Sequence, residues 1–390
     1  MSHASVVADD ASDEPAQIMI AGGGFAAVEA ALALRALAGE RVALTILAPD
    51  PVFHCRPAAT TEPFGAWRSP SRRYGLRAIA SDLGAEYHES RLEAVASRKH
   101  LVRTAAGARL PYTNLILATG ARSVVGVPGA ITFRDQRDVP LIRRLLGELE
   151  PEALRSIVFA LPATFAWPLP LYELALLTAR HARERRLATE VTLVTSEREP
   201  LELFGTQASR LVGGLLEQGG VRFRGGAVAA AVQRDRSLAL ADGETIRADR
   251  VVALPELRAR RITGVPTRRA GFVPVDASGQ VEGLQDVYAA GDVTTFPIKQ
   301  GGLAAQQADV VAQTVAARLG ASIKEVRAPR VLQARLLGGE RPLFLRTEFD
   351  WGGQPTRATL VHADDADAAK TAKVLGRYLV PYLETLPARA

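Results

Sequence analysis

One stretch decides the fold: Ile18-Met-Ile-Ala-Gly-Gly-Gly-Phe-Ala-Ala-Val-Glu-Ala-Ala-Leu-Ala-Leu-Arg35. A short apolar run, three glycines and an Ala/Leu-rich helical pattern follow one another, which predicts a strand, a tight turn and a helix. Gly22, Gly24 and Ala27 fit the dinucleotide-binding pattern G-x-G-x-x-G/A. Gly22 permits the turn, Gly24 lets the backbone approach a pyrophosphate, and Ala27 keeps the helix close to the sheet. The free N–H groups at the helix N-terminus would face the phosphates.

The composition is that of a folded protein with room for two or three domains. Of 390 residues, 47% are hydrophobic and 23% are charged. The net charge of +6 comes mostly from scattered arginines, which favours a solvated surface over nucleic-acid binding. Residues 1–14 are polar and acidic, which predicts disorder and no secretory signal. No apolar run approaches the ~20 residues of a membrane span. We therefore expect a cytoplasmic protein without membrane association, and we predict no metal site.

A second strand is predicted at Arg41-Val-Ala-Leu-Thr-Ile-Leu47, which completes a parallel βαβ unit. An acidic residue usually ends this strand and binds the adenosine ribose, but Ala48 stands here, and Asp50 could serve instead. In the following loop, Arg56 could reach a bound pyrophosphate or the edge of a flavin, or it could be a surface arginine. Cys55 is the only cysteine, so no disulfide can form within one chain, and we favour a structural role for it.

Two later strands end in the same kind of residues. The apolar run Tyr112–Leu117 leads into Ala118-Thr-Gly120, whose small residues let the backbone turn under a bound dinucleotide. The run Val287–Ala290 leads into Gly291-Asp292, and Asp292 could bind a ligand or cap a turn. A helix predicted at Leu303–Leu319 follows Gly301-Gly302, and its N-terminus would face the same crevice.

A second βαβ unit is predicted from residue 156, but its turn contains no glycine. A strand at 156–160 and a helix at 172–186 flank the loop Leu161-Pro-Ala-Thr-Phe-Ala-Trp-Pro-Leu-Pro170. Its prolines lack N–H donors, and Phe165 and Trp167 would fill the space of a pyrophosphate. A strand at 190–195, a helix at 204–218, a hairpin-like pairing of 221–226 with 237–240 and a strand at 250–255 complete this unit.

Taken together, Gly22-x-Gly24-x-x-Ala27, Ala118-Thr-Gly120 and Ala290-Gly-Asp292 resemble the pyridine nucleotide-disulfide oxidoreductases, flavoproteins with two dinucleotide-binding domains. The stretches 192–195, 200–205, 296–308 and 373–383 resemble the branch of sulfide:quinone oxidoreductases and flavocytochrome c sulfide dehydrogenases.

This resemblance implies an α/β fold of two Rossmann-like three-layer domains and a small C-terminal α+β domain. The first would be a discontinuous FAD-binding domain of residues 15–135 and 256–325. Residues 136–255 would form a degenerate NAD(P)-binding-like domain. Residues 326–390, with Trp351, would form an interface domain that supports a homodimer or a quinone-side pocket.

The resemblance also implies FAD as the cofactor, with its ADP half at Gly22–Ala27 and its ribityl chain at Asp292. Lys299 and the helix after it would place positive charge at the flavin N1–C2=O edge, which raises the reduction potential. His54, Tyr172 and Glu173 are further polar groups near the flavin. The complete predicted cofactor set is Gly22, Gly24, Phe25, Ala27, Asp50, Arg56, Leu92, Thr119, Gly120, Gly291, Asp292, Lys299, Gln300, Gly301 and Gly302.

Departures from the family pattern shape the functional prediction. The redox cysteines of the sulfide-oxidising relatives, expected near Trp167 and Lys299, are missing, which excludes a disulfide relay. We expect an FAD-dependent oxidoreductase with an unknown donor and a small-molecule, quinone or protein acceptor. One alternative is an NAD(P)H-dependent reductase in which Glu197 or Arg198 contacts the ribose. Another is a flavin-binding sensor or electron-transfer partner without turnover.

Overall fold

The computed structural model describes residues 14–55, 59–65, 72–150, 154–163, 167–323, 330–339, 341–350, 352–361 and 376–386. The segment predicted to be disordered lies almost entirely outside these residues, as do Arg56, Phe165 and Trp351.

Runs of strands separated by single helices make up most of the described chain. The strands are β1 Ala16–Ala21, β2 Val42–Leu47, β3 Val52–Cys55, β4 Arg72–Gly75, β5 Glu86–His88, β6 Leu92–Ala96, β7 Leu101–Thr104, β8 Arg109–Pro111, β9 Asn114–Leu117, β10 Ala121–Val124, β11 Ile131–Thr132, β12 Ser156–Ala160, β13 Glu190–Val194, β14 Val221–Arg224, β15 Ala229–Val232, β16 Leu238–Leu240, β17 Thr245–Ile246, β18 Arg250–Ala253, β19 Glu256–Ala259, β20 Val287–Ala289, β21 Arg330–Leu336, β22 Leu343–Phe349 and β23 Pro355–Val361. The α-helices are α1 Phe25–Ala38, α2 Leu76–Asp82, α3 Val139–Leu149, α4 Leu169–Glu184, α5 Gly205–Gln218, α6 Gly301–Arg318 and α7 Leu379–Thr385.

The first lobe is built on a parallel sheet of order β20-β9-β1-β2-β5. Strand β1 lies at its centre, and its side chains alternate between two apolar layers. Ile18 and Ile20 pack with α1 and α6, whereas Met19 and Ala21 pack against the small antiparallel sheet β6-β7-β8. The centre of the sheet is therefore covered on both faces, and the carboxyl ends of its strands open onto one crevice.

The second lobe is built on a parallel sheet of order β11-β18-β12-β13-β14. Ile157 and Phe159 of β12 pack in the same core as α3, α4 and α5, and Val158 and Ala160 pack with Leu238 of the small sheet β15-β16-β17. The α/β class with two Rossmann-like units is thus confirmed. The domain boundaries stay a prediction.

The hairpin predicted between residues 221–226 and 237–240 is wrong. Strand β14 pairs in parallel with β13, while β16 pairs with β15 in the separate small sheet. The apolar residues of β14 pack in the core beside α5, so Val221 is buried and the strand extends the main sheet. Helix α4 also begins at Leu169 rather than at Tyr172, because proline is compatible with the first turn of a helix.

The described residues of the C-terminal part form the antiparallel sheet β21-β22-β23 and the short helix α7. Helix α7 lies against α1, where the buried carboxylate of Glu29 caps its N-terminus. Glu29 Oε1 accepts a hydrogen bond from Tyr378 N at 3.0 Å, and Oε2 accepts one from Leu379 N at 2.7 Å. The chain end is thus fixed to the helix that begins at the Gly24 turn. Among the described residues, we find no helix with the length and apolar character needed to cross a membrane.

Candidate active site

Two adjoining cavities lie at the carboxyl ends of the first sheet. The adenosine-side cavity, about 400 Å³, lies along the Gly22–Gly24 turn and the ends of β2 and β9. The flavin-side cavity, about 640 Å³, lies at the N-terminus of α6 and extends between the two lobes and strand β21. His54 and Ala121 line both cavities, so the two form one long groove.

The Gly22–Gly24 turn has the shape that a dinucleotide requires. Gly22 adopts φ +143°, and a Cβ at this position would lie 2.0 Å from Ala118 O, so only glycine fits. Gly24 is the N-cap of α1, and a Cβ there would meet nothing within 4 Å, which leaves open space beside the helix N-terminus. This is the space that a phosphate group would occupy.

A buried hydroxyl also faces the adenosine-side cavity without a partner among the described residues. Thr119 Oγ1 has no hydrogen bond there. Unpartnered buried hydroxyls are costly, so this atom fits a ligand contact. Asp50 lines the same cavity, with Oδ1 accepting a hydrogen bond from Val52 N at 3.0 Å and Oδ2 3.8 Å from His54 Nε2. Both observations are compatible with a bound FAD.

Most of the predicted cofactor residues line the groove. Those in the adenosine-side cavity are Gly22, Gly24, Asp50, Leu92, Thr119 and Gly120. Those in the flavin-side cavity are Phe25, Asp292, Lys299, Gln300 and Gly301. Three others lie behind the cavity walls, namely Ala27, Gly291 and Gly302. Ala27 is buried under the sheet-facing side of α1, as its place in the pattern predicts.

Three arginines of the groove were not expected from the sequence. Arg91, Arg122 and Arg260 line the adenosine-side cavity and are exposed to solvent. They come from three separate segments, and only the folded chain brings them together. Asp50 is the one carboxylate among the described residues that line this cavity. The net charge of the lining is therefore positive, which favours an anionic ligand.

The flavin-side cavity has a charged pair at the end of β20. Lys299 is buried, its Nζ donates a hydrogen bond to Thr294 O, and the ammonium lies 4.2 Å from the centre of the Phe272 ring. Burial lowers the pKa of Lys299 to about 8, and the neighbouring Asp292 opposes this change. Burial raises the pKa of Asp292 above its usual range. Gln300 caps α6 by accepting a hydrogen bond from Leu303 N at 3.0 Å.

The second lobe contributes an apolar wall to the flavin-side cavity. Trp167, Leu169 and Pro170, from the start of α4, line it together with Phe133 and Leu254. The Trp167 ring contacts the Phe204 ring edge-on, with centres 6.1 Å apart. The beginning of α4 is therefore apolar and partly without N–H donors, unlike the phosphate-facing start of α1.

Tyr172 does not lie at the flavin-side cavity, so this prediction is wrong. Its side chain is fully buried, and its hydroxyl donates a hydrogen bond to Glu197 Oε2 at 2.7 Å and accepts one from Leu201 N at 3.2 Å. Consecutive helical residues point about 100° apart, so Glu173 faces the cavity while Tyr172 faces the core.

Glu197 is likewise not placed to bind a ribose. Its side chain is buried, and Oε2 accepts hydrogen bonds from Tyr172 and, at 3.2 Å, from Thr195 Oγ1. Burial raises the pKa of Glu197 to about 7. Arg198 remains exposed. The ribose contact suggested for Glu197 is therefore contradicted.

Glu173 joins three parts of the chain at the wall of the flavin-side cavity. Oε2 accepts a hydrogen bond from Thr60 Oγ1 at 2.6 Å, and Oε1 accepts one from Leu337 N at 3.1 Å. Thr60 follows β3 of the first lobe, and Leu337 follows β21. This carboxylate holds the second lobe, the first lobe and the C-terminal sheet together around the cavity.

Comparison with known proteins agrees with this geometry. Residues 16–158 and 172–319 match the model of the pyridine nucleotide-disulphide oxidoreductase family. The chain belongs to this family. It is therefore a member of an FAD-dependent oxidoreductase family, and FAD is its cofactor. The two matched segments leave out residues 159–171, which contain the loop that lacks glycine.

Two curated proteins with similar sequences illustrate the range of this flavoprotein family. The chain is 31% identical over 212 residues to the ferredoxin–NAD(+) reductase component of the biphenyl dioxygenase system of Paraburkholderia xenovorans, which covers 50% of this chain and 47% of that one. It is 28% identical over 303 residues to peroxisomal monodehydroascorbate reductase 2 of Oryza sativa subsp. japonica. This match covers 72% of this chain and 62% of that one. The chain thus spans about half to three fifths of the length of these curated relatives.

The fold of this flavoprotein is similar to that of the sulfide:quinone oxidoreductase of Aquifex aeolicus. The TM-score is 0.75 at 19% identity, over 89% of this chain and 86% of the other. At this level of identity the likeness shows the fold alone. No group of His, Cys, Asp and Glu side chains in the described part of the chain is arranged to hold a metal ion.

Proposed function

We propose that this protein is an FAD-dependent oxidoreductase of the sulfide:quinone oxidoreductase-like branch that does not use a cysteine relay. Its flavin would exchange electrons with a small apolar ring compound, and we propose quinones as the class of acceptor. The observation that carries this proposal is the apolar wall of Trp167, Leu169 and Pro170, which lines the flavin-side cavity and offers few N–H donors to the phosphates of a pyridine nucleotide.

The two cavities of the groove would bind different parts of FAD. In the adenosine-side cavity, the Gly22–Gly24 turn and the N-terminus of α1 would bind the pyrophosphate, and Thr119 would donate its unpaired hydroxyl. In the flavin-side cavity, Asp292 would accept hydrogen bonds from the ribityl chain. When bound, the flavin supplies the capacity to take up and release two electrons.

The protein's own charges would favour electron uptake. The N-terminus of α6, beginning at Gly301, directs its partial positive charge into the flavin-side cavity, and Lys299 adds a buried positive charge nearby. Both favour negative charge on a bound ring system. Because burial lowers the pKa of Lys299 to about 8, this contribution weakens as the pH rises through that value.

Electron exchange is tested by anaerobic spectroscopy of the purified, FAD-loaded protein. We expect that neither NADH nor NADPH bleaches the flavin rapidly, and that the photoreduced protein is reoxidised by a soluble ubiquinone analogue. Trp167→Ser should raise the KM for the quinone without changing FAD content. A protein that cannot be reconstituted with FAD would overturn the cofactor site, and a photoreduced protein unreactive with quinones would overturn the acceptor class.

An NAD(P)H-dependent reductase remains the second candidate, because one relative is named as a ferredoxin–NAD(+) reductase component. Rapid bleaching by NADH or NADPH would favour it. A flavin-binding partner without turnover is the third candidate. Repeated turnover with an identified donor and an artificial acceptor would exclude it.

The three arginines of the adenosine-side cavity lead to a separate prediction. Replacing Arg91, Arg122 and Arg260 one at a time by Gln should raise the FAD dissociation constant about twofold to fivefold, which is typical of exposed charge pairs. Isothermal titration of FAD into the apoprotein measures this effect. A triple variant that carries all three substitutions tests their combined charge. Salt should weaken FAD binding by the parent protein and have less effect on FAD binding by this triple variant.

The matched control is Arg109→Gln, because Arg109 is exposed on β8 and lines neither cavity. Its FAD affinity should equal that of the parent. If the triple variant also binds FAD like the parent at low salt, the three arginines do not contact the cofactor.

A further inference from the structure

The turn between β20 and α6 is held from behind by one buried side chain, Gln307. Gln307 Oε1 accepts a hydrogen bond from Gly291 N at 3.0 Å. The single hydroxyl proton of Thr294 is shared between Gln307 Oε1, at 3.2 Å from Thr294 Oγ1, and Gly291 O, at 2.9 Å. The single carbonyl oxygen of Gln307 therefore binds both ends of the turn 291–294.

Two charged groups of the flavin-side cavity depend on this turn. Asp292 belongs to it, and Lys299 donates its hydrogen bond to the carbonyl oxygen of Thr294. Gln307 lines neither cavity, so its contact with a bound flavin would be indirect. A displacement of the turn would move Asp292 and the anchor of Lys299 together.

The surrounding packing leaves the turn little freedom. Gly291 adopts φ +80°, and a Cβ at this position would lie 3.1 Å from the Cβ atoms of both Ala26 and Ala304. The turn is thus squeezed between α1 and α6. Gln307 also belongs to α6, so one rigid helix carries both the Gly301 N-terminus and the group that holds Asp292.

We propose that Gln307 is a positioning residue for the flavin: its amide oxygen fixes the 291–294 turn against α6, and so sets where Asp292 and Lys299 stand relative to the bound ring. This role goes beyond the proposed reaction. It rests on FAD occupying the groove and is independent of the donor and the acceptor. The sequence alone did not single out this residue.

The test compares Gln307→Leu with Gln306→Leu on the same helix. Gln306 is the matched control because its amide binds the backbone N–H and carbonyl of Val331 at 2.8 Å, on the side of the C-terminal sheet. Both variants lose two contacts of a glutamine amide, which are buried at Gln307 and partly buried at Gln306. For each protein we would measure the FAD dissociation constant, the midpoint potential of the bound flavin and the thermal stability of the apoprotein.

We expect Gln307→Leu to raise the FAD dissociation constant on the order of tenfold, the effect of losing a buried hydrogen bond. Its midpoint potential should fall, because Lys299 is no longer held in place. Gln306→Leu should keep the parent's FAD affinity and potential, although its stability decreases. Parent-like FAD affinity and potential in Gln307→Leu would overturn the proposal.

A second variant covers the case in which Gln307→Leu does not fold. Gln307→Glu keeps an acceptor oxygen for Gly291 N–H and nearly the same shape. We expect it to fold and to bind FAD within about threefold of the parent, since the hydrogen bond is retained. A folded Gln307→Glu protein that binds FAD as weakly as expected for the leucine variant would contradict a role of the acceptor oxygen. The same titration with the Arg109→Gln protein verifies that the groove binds FAD, which separates failure of this proposal from failure of the cofactor site.

Discussion

Gly22→Ala is expected to yield a protein that retains no FAD and is destabilised by about 2–6 kcal/mol. The new Cβ would lie 2.0 Å from Ala118 O, and φ +143° is a conformation that alanine rarely adopts. Backbone strain and overpacking each cost about 1–3 kcal/mol. Because Gly22 N also donates a hydrogen bond to Leu47 O at 2.9 Å, a shift of the turn would disturb β2 as well.

Gly24→Ala separates binding from stability at the same turn. A Cβ at Gly24 meets nothing within 4 Å, and the φ of −95° suits any residue. The apoprotein should therefore unfold at nearly the same urea concentration as the parent, while the methyl group enters the space of the phosphate and weakens FAD binding. Urea unfolding of the apoproteins and FAD titrations measure the two effects. If Gly22→Ala keeps FAD and parent stability, the close approach to Ala118 does not constrain this turn.

Glu197→Gln is expected to stabilise the protein at pH 8 and to have a much smaller effect on its stability at pH 5. Burial raises the pKa of Glu197 from 4.5 to about 7, so the folded state holds a proton that the unfolded state releases. Its favourable contribution is therefore complete below pH 4.5 and is lost as the pH rises through 7. Between low and high pH, this loss lowers the free energy of unfolding by about 3 kcal/mol. Glutamine is neutral at every pH, so the variant does not undergo the loss.

The measurement is a series of urea unfolding curves of the apoproteins between pH 5 and pH 8. The control is Glu199→Gln, because Glu199 is exposed on the same loop and is not among the charges that shift the pKa of Glu197, so the stability of this variant should vary with pH as that of the parent does. If Glu197→Gln loses stability in parallel with the parent as the pH rises, Glu197 is not the titrating group.

Local sequence pattern was sufficient for the adenosine-side turn. Gly22, Gly24 and Thr119 lie in short motifs whose steric demands are visible in the sequence, since each motif sits between a strand and a turn or helix. The apolar loop before α4 could also be identified from its prolines and aromatic residues. These features depend on neighbours within a few positions.

Features that depend on distant contacts could not be predicted. Arg91, Arg122 and Arg260 come from separate segments, and no motif links them. Tyr172 and Glu173 are adjacent polar residues, and only the orientation of α4 determines which one faces the cavity. Strand β14 has apolar residues that suit a hairpin equally well, and the decision comes from packing beside α5. No pattern in the sequence around Gln307 indicates its hydrogen bond to Gly291.

The bond of Glu29 to helix α7 has a consequence for synthesis of the chain. Glu29 and Leu379 are 350 positions apart, and β20, at the edge of the first sheet, follows the entire second lobe. On the ribosome, the second lobe can therefore complete its sheet while the first lobe still lacks β20, α6 and the helix α7 that Glu29 caps. We expect nascent chains to acquire FAD only late, after most of the polypeptide has emerged. Ribosome-bound chains that end just before residue 287 should accordingly show a protease-resistant second lobe and no flavin.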